Sequence, residues 1–524
     1  MTPEPPPPSV ASEVAPWPVS PVASGRRFWW SFGAAVGLLA LVGALGDSAA
    51  TPGLGPRTLA PVWDLDAGPS AALVTIGIAA GFVLGALAVL FGLAAVAAGW
   101  RPRPRTVALA GAAALAVLVL VPPVGSADHL SYLAYGRIAA AGDDPYLVPP
   151  IEWRGGHDPV AGAVAPPWQY TPSVYGPVGT AAQALVAIGG DGSLRATVLL
   201  WHLLCAAAYV LVAVLLDRLA GPDPAARARA AVLWLLNPVL LGHLVLGAHL
   251  DVLAAAFGFA ALAVAARRPL LAGLLLGLAV GTKAPYALFG LAGLWAAARG
   301  LPPVRAARNV AVAALAGLAV LVPAHVWAGP HVFDQLRVAS RFTTLSSPWR
   351  VVANLGDLAF GHGALRPLIM PASLLIAAAL TLPLWRRLAR LPSAPADPQT
   401  ADAVRAAVAM TAAWTLIAPY ALPWYDAMVW APLALLGASR LDRLLLLRLA
   451  GLSLAYIPGR VVELTWPVHA ITYSYRVVLV PPLVLLVILG VWRWTRDEPG
   501  SDPDRPGIIS GRWARRRPVR PREQ

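Results

Sequence analysis

From Ser126 to Leu194 an otherwise apolar chain turns polar and aromatic, and the segment opens with Ala127-Asp128-His129-Leu130-Ser131-Tyr132 directly after a hydrophobic run. A carboxylate at that point stands at the mouth of a membrane-embedded pocket, where it could take a proton from a hydroxyl. It could equally cap the amphipathic helix that Leu130 to Ala141 reads as. Asp143 and Asp144 stand just before Pro145, and Asp-Pro most simply opens a turn. Lys283 is the only lysine in a chain whose other cationic side chains are all arginine. It falls at a weak point between two apolar runs, where its compact ammonium suits a phosphate or pyrophosphate, with snorkelling to the interface as the alternative. Arg137, in the long polar segment, is the second cation candidate.

The elements that must position these groups follow from composition. Hydrophobic residues make up 58% of the chain and charged ones 13%, and the mean hydropathy is +0.65. These values predict an all-α, polytopic integral membrane protein, because backbone groups in lipid must be satisfied internally. About fourteen apolar stretches approach the roughly 20 residues of a spanning helix. They begin near Phe28, Ala72, Thr106, Ala196, Ala230, Leu250, Leu270, Tyr286, Asn309, Pro367, Ala403, Ala427, Leu444 and Val477, and those around Gly281 to Tyr286 and Pro419 to Asp426 are broken by Pro and Gly. Thirteen or fourteen spans are therefore expected.

Arginines alternate along the chain: Arg26-Arg27, Arg101/Arg103/Arg105, Arg227/Arg229, Arg267-Arg268, Arg305/Arg308, Arg386/Arg387/Arg390, Arg440/Arg443 and the C-terminal tail. The positive-inside rule makes these cytoplasmic together with both termini, and puts Asp47 to Ser70, Ser126 to Leu194, Gly247 to Asp251, Pro330 to Leu365 and Pro458 to Tyr475 outside. The formal charge of +14 is then a topology signal and an attraction to anionic lipid headgroups rather than a nucleic-acid footprint. Residues 1–25 and 497–524, rich in Pro with Ser or with Asp and Arg, read as disordered tails around one membrane domain, 26–496. Arg26-Arg27-Phe28 reads as the start of a signal anchor that is not cleaved. Cys205, alone, reads as a small buried hydrophobe. No internal repeat, Walker loop, dinucleotide fingerprint or metal-spaced cluster stands out, so no cofactor and no metal are expected.

The run Ala127 to Arg137, with Asp144-Pro145-Tyr146 and Tyr170-Thr171-Pro172-Ser173-Val174-Tyr175-Gly176-Pro177, resembles the actinobacterial alpha-1,6-mannopyranosyltransferases that elongate lipomannan. Asn237-Pro238, His243, Gly247-Ala248-His249-Leu250-Asp251, Gly281-Thr282-Lys283-Ala284 and Pro419 to Tyr425 extend the resemblance over roughly residues 125 to 430. It implies a GT-C helical bundle in the plasma membrane that transfers mannose from polyprenyl-phosphomannose to a mannan or lipomannan acceptor on the extracytoplasmic face, with inversion. A phosphate leaving group needs no strong general acid, so one base and one cation suffice, unlike glycoside hydrolysis. Asp128 is the expected base, with Lys283 and Arg137 on the donor phosphate.

Around them His129, Tyr132, Trp168, Tyr170, Tyr175, His243, His249, Asp251, Trp424 and Tyr425 are expected to contact substrate. For the histidines with Asp251, the alternatives are an orienting role toward Asp128, a divalent ion, or plain hydrogen bonding at an outer turn. For Trp153, Trp168, Tyr170, Tyr175, Trp349, Trp424, Tyr425, Trp466, Tyr473 and Tyr475 the alternative is an interfacial aromatic belt. Asn237-Pro238 predicts a helix kink whose freed carbonyls need a neighbour. Transferases using polyprenyl-phosphoarabinose or glucose, and a carrier or lipid flippase, remain alternatives, the last disfavoured because acidic residues gather at outer helix ends rather than at the midplane.

Overall fold

Among the described residues of the computed structural model, seven helices are long and apolar enough to cross a bilayer: Pro21–Ala44, Ala71–Ala97, Leu194–Ala220, Pro224–Leu246, Pro303–Ala328, Arg366–Leu388 and Trp466–Arg496. The structure describes residues 20–56 and 61–497. In chain order α1 (Pro21–Ala44), α2 (Ala71–Ala97) and α3 (Pro104–Val119) are followed by α4 (Asp128–Ala140) and α5 (Pro177–Gly189) in the long polar segment. Then come α6 (Leu194–Ala220), α7 (Pro224–Leu233), α8 (Pro238–Leu240, continued as a π-turn over Leu241–Leu246), α9 (Asp251–Val264), α10 (Pro269–Thr282) and α11 (Ala287–Gly300). The last part holds α12 (Pro303–Ala328), α13 (His331–Ala339), α14 (Pro348–Phe360), α15 (Arg366–Leu388), α16 (Pro398–Ile417), α17 (Ala427–Leu433), α18 (Arg440–Ala455), α19 (Trp466–Ser474) and α20 (Val480–Arg496). The protein is an all-α, multi-pass membrane protein.

The apolar stretches in the sequence do not all become full spans. α3, α5, α9 and α10 are apolar but short, and α17 is a seven-residue helix with every residue buried. Apolarity along a chain marks burial in protein and burial in lipid alike, so a hydropathy window counts interior helices as crossings. The first boundary also moves: Ser20 accepts from the Ala23 backbone N–H (3.5 Å) and caps a helix that begins at Pro21 rather than at Arg26. The expected tails otherwise lie outside the described residues, apart from Asp497, which pairs with Arg440 (3.0 Å).

The segments expected on one side of the membrane do meet at one end of the bundle. Arg460 reaches Asp47 (2.8 Å), the Gly125 N–H donates to the Ala50 carbonyl (2.9 Å), and the Thr344 N–H donates to the Pro419 carbonyl (3.1 Å). Arg195, buried, gathers the carbonyls of Gly55, Pro56 and Val62 and the carboxylate of Asp64. At the opposite, arginine-rich end, Arg229 binds Asp442 through two donors (2.8 and 2.9 Å), tying α7 to α18.

A kink and, near the loop end, three stops interrupt the helices. After α7 the chain kinks at Asn237-Pro238, where the Tyr209 hydroxyl donates to the Trp234 carbonyl and Asn237 Nδ2 donates to the Leu233 carbonyl, the neighbours the sequence demanded. The π-turn then runs out at Gly247, and Ala248 turns at φ +53° before α9 begins. α10 stops at Thr282, Lys283 is extended, and Pro285 precedes α11. α16 stops at Ile417, and Pro423 to Asp426 form a single tight turn before α17.

The polar segment leans on the second of these breaks. The Gly176 N–H donates to the Thr282 carbonyl (3.3 Å), and a Cβ added at Gly176 would lie 2.3 Å from the Gly281 carbonyl oxygen. Backbone meets backbone there, so no side chain can yield. We expect Gly176→Ala to lower stability by roughly 1–3 kcal/mol, read as a fall in the thermal unfolding midpoint, with Ala substituted at the open, helical Gly37 as the contrast.

Candidate active site

α4 carries the carboxylate. Asp128 is its first residue, with Ala127 in the cap position and no side-chain capping bond, so the carboxylate is not used by its own helix. Its backbone N–H donates to Ser126 Oγ (3.0 Å). Asp128, Ser131, Tyr132 and Tyr135 fall at helical spacing on one face and border one cavity of about 380 Å³. The expected amphipathic helix is instead buried nearly all round, because α5 covers the side that would have met water. Burial pushes the Asp128 carboxyl up to about 6, against the opposing pull of Ser126 and of the Lys283 charge. Its side chain remains 20% exposed, open to the cavity.

The break after α10 supplies the cation. Lys283 Nζ lies 2.7 Å from Asp251 Oδ1, at the start of α9, and 3.6 Å from the centre of the Tyr425 ring. Asp251 Oδ2 is buried without a partner, and its backbone carbonyl accepts from the Tyr286 hydroxyl (3.0 Å). An ammonium has three donors, and the carboxylate uses one of them while the aromatic face holds the charge in place.

The break after α16 supplies the aromatic wall. Trp424 stacks on His249 with ring centroids 3.6 Å apart and an 11° tilt. His249 Nδ1 stands 3.3 Å from the Tyr132 hydroxyl and 3.8 Å from Asp128 Oδ2. Tyr132 meets Tyr175 edge to face at 4.9 Å, and the Tyr135 hydroxyl donates to the Thr171 carbonyl (2.7 Å). At the floor Arg448 pairs with Asp426 and donates to the Thr415 carbonyl. Arg448 and Asp426 are both fully enclosed, and a pair so placed holds α18 against the turn before α17 at the cost of desolvating two charges.

Of the residues expected in the site, Asp128, Tyr132, Trp168, Tyr175, Asp251, Lys283, Trp424 and Tyr425 border this cavity. His129, Arg137, Tyr170, His243 and His249 do not. His129 follows Asp128 by one residue, about 100° around the helix, and is buried on another face with neither ring nitrogen paired. Arg137 donates to Asp158 (3.2 Å), whose carboxylate also accepts from the Val160 and Ala161 N–H groups, closing the polar segment on itself. Tyr170 is 64% exposed. His243 is bound to Ser453 (2.8 Å) and stacked on Phe82, while His249 lies behind Trp424.

Asp143 and Asp144 serve local structure, accepting from the Trp153 indole and the Tyr146 N–H, and Asp144 also pairs with His331 of α13. Among the described residues no three His, Cys, Asp or Glu side chains come together as a metal would need. Sequence reasoning missed Arg448, Asp426 and Tyr420. The signal for the first two was there, a charge inside an apolar helical run.

A carboxyl raised by burial destabilises the folded state where it is ionised in that state. The penalty is complete above pH 6 and fades as pH falls toward the ordinary range near 4. Asp128→Asn should therefore be more stable than the wild type at pH 7 by on the order of 1–3 kcal/mol, with the gain vanishing near pH 4. Thermal unfolding of both proteins across that range measures it, and equal midpoints at pH 7 would contradict it.

A family profile described as alpha-(1->6)-mannopyranosyltransferase, N-terminal domain, matches residues 30–299. An alpha-(1->6)-mannopyranosyltransferase of Mycobacterium tuberculosis is 37% identical over 142 residues, 26% of this chain and 23% of that protein. Alpha-(1->6)-mannopyranosyltransferase B of Corynebacterium glutamicum is 30% identical over 135 residues, 26% of this chain and 22% of that protein. Alpha-(1->6)-mannopyranosyltransferase A of M. tuberculosis is 28% identical over 362 residues, 65% of this chain and 66% of that protein. The chain spans less than two thirds of the length of each of these relatives. No solved structure matches it. The profile covers just over half of the chain, including Asp128, Asp251 and Lys283, and the chain belongs to the alpha-(1->6)-mannopyranosyltransferase family.

Proposed function

We propose that this protein transfers mannose from polyprenyl-phosphomannose to a mannan or lipomannan acceptor at the extracytoplasmic face of the plasma membrane, forming an alpha-1,6 linkage with inversion. The observation that carries the reading is the single cavity in which an uncommitted carboxylate, Asp128, shares walls with Lys283 and an aromatic lining. The relatives' names supply the sugar and the linkage, and the arginine distribution supplies the side.

In the displacement the acceptor 6-hydroxyl oxygen bonds to the anomeric carbon as the bond from that carbon to the phosphate oxygen breaks. The hydroxyl proton passes to Asp128, and the bonding electron pair leaves with polyprenyl phosphate, a stabilised anion that needs no proton to depart. Lys283 is the cation for that phosphate, its remaining donors turned to the cavity while Asp251 and Tyr425 position it. Tyr132 and Tyr175, with Trp168 and Trp424, offer ring faces and hydroxyls to the sugars.

Transfer in membranes supplied with radiolabelled polyprenyl-phosphomannose and a short alpha-mannoside tests this. At equal abundance, Asp128→Asn should lose about 10²–10⁴ in kcat with donor binding kept. Lys283→Ala, paired with Asp251→Asn so that no buried carboxylate is left alone, should raise the donor KM. Because the base must be ionised, wild-type kcat/KM should fall with acid below pH about 6. No transfer by the wild type, or full activity in Asp128→Asn, would sink the proposal.

A further inference from the structure

One titratable side chain on the cavity wall takes no part in the displacement. His325 of α12 borders the same space as Asp128 and Lys283. Its Nδ1 lies 2.8 Å from the Leu321 carbonyl oxygen, one helical turn back. A carbonyl oxygen only accepts, so Nδ1 carries the proton and, in the neutral ring, Nε2 carries a lone pair. Among the described residues that second nitrogen has no partner. Phe333 of α13 stacks on the imidazole with centroids 5.5 Å apart and a 19° tilt, which fixes the plane of the ring.

The packing of α12 on α10 sets the height of this ring. Three glycines four residues apart on α10 meet α12 in step. A Cβ added at Gly273 would collide with the Ala313 carbonyl, one at Gly277 with that of Gly317 (2.8 Å), and one at Gly281 would meet the Leu321 side chain (3.3 Å). The two helices therefore run in the same direction in close contact. From Leu321 to His325 α12 climbs about 6 Å. From Gly281 the other chain gains nearly the same height in two residues, because Lys283 is extended. His325 and Lys283 thus leave adjacent elements at one level of the cavity.

The rest of that wall is poor in acceptors. Leu321, Leu336, Ala339 and Phe342 bring only carbon to it, and the Ser340 hydroxyl is turned to the Arg337 carbonyl (2.7 Å). A sugar presents hydroxyl donors, and the one on C2 stands beside the anomeric carbon, next to the phosphate that Lys283 receives. An alpha product formed with inversion comes from a beta-linked donor, in which the 2-hydroxyl of mannose is axial and shares a ring face with the phosphate. In glucose that hydroxyl is equatorial and lies on the other face.

We infer that His325 Nε2 accepts the hydrogen bond of the 2-hydroxyl of the transferred sugar, and that this contact makes the site selective for mannose over its C2 epimer. The inference rests on the reading of the cavity as the donor site. An acceptor at the level of the phosphate meets the axial hydroxyl and misses the equatorial one, which leaves both the glucose hydroxyl and the ring nitrogen unpaired.

The test measures transfer by the full-length protein in membranes, with each variant at equal abundance, from polyprenyl-phosphomannose, its 2-deoxy analogue and polyprenyl-phosphoglucose. The wild type should favour the mannose donor over both others. His325→Phe keeps an aromatic ring to stack on Phe333 and removes the acceptor. Its kcat/KM for the mannose donor should fall about ten- to hundred-fold, chiefly in kcat, because hydrogen bonds to a 2-hydroxyl strengthen in the transition state. For the 2-deoxy donor the change should stay within about two-fold, and the preference for mannose over glucose should narrow.

His325→Gln, whose amide oxygen reaches the position of Nε2, should restore part of that preference, a rescue that a merely structural ring would not show. An equal fall for the mannose and 2-deoxy donors, or a mannose-to-glucose ratio unmoved by His325→Phe, would overturn the inference and leave the transferase reading in place. No transfer by the wild type from any of the three donors would defeat that reading, and the inference with it.

Discussion

Every backbone N–H and C=O of a membrane-spanning segment needs a partner from the protein itself. This constraint decides where the chemistry of the fold can be. A helix satisfies its own backbone and offers little at its flank, so polar groups converge only where helices stop. Here the stops are at Gly247, Thr282 and Ile417, each enclosed by neighbouring helices and by the loop-end segments. Their freed groups are taken up locally: Thr282 by Gly176, Pro419 by Thr344, Ala248 by the Trp201 indole. The cavity is what remains between three covered breaks.

Charge follows the same rule. Lys283 and Asp251 are drawn from two interrupted regions, whereas Arg448 reaches from the middle of α18 to Asp426 in the turn before α17. The second pair is sealed with a further carbonyl bond from Thr415 and acts as a fixed strut. The first is looser in chemistry, with one carboxylate oxygen unpaired and ammonium donors to spare, as suits a group that must meet a ligand. Asp128 stands near charges of both signs, with Ser126 beside its carboxyl and His249 at 3.8 Å, and burial outweighs them in setting its acidity.

Composition made the all-helical membrane class legible, and the isolated lysine and the carboxylate after the third apolar run made two of the cavity's groups legible. The alternation of arginines located the loops that meet at one end. What the chain could not show is direction around a helix. His129 and Asp128 are neighbours in sequence and face different ways, since adjacent residues diverge by about 100°. Arg448 and Asp426 lay hidden for the opposite reason, single charges averaged away within apolar windows. The number of crossings was illegible because leucine and alanine face lipid and protein with equal ease, as α17 and α12 show: one is wholly enclosed, and only 11% of the apolar window of the other is buried.

The contact between Gly176 and the end of α10 has a mechanical side. The strand of chain that bears Trp168 and Tyr175 is pinned by its backbone to Thr282, the residue before the ammonium-bearing Lys283. Any outward swing of that segment pulls on the peptide that aims the lysine. The segment therefore does not move as a free lid while the break after α10 stays in place, and the two halves of the cavity share one stiffness.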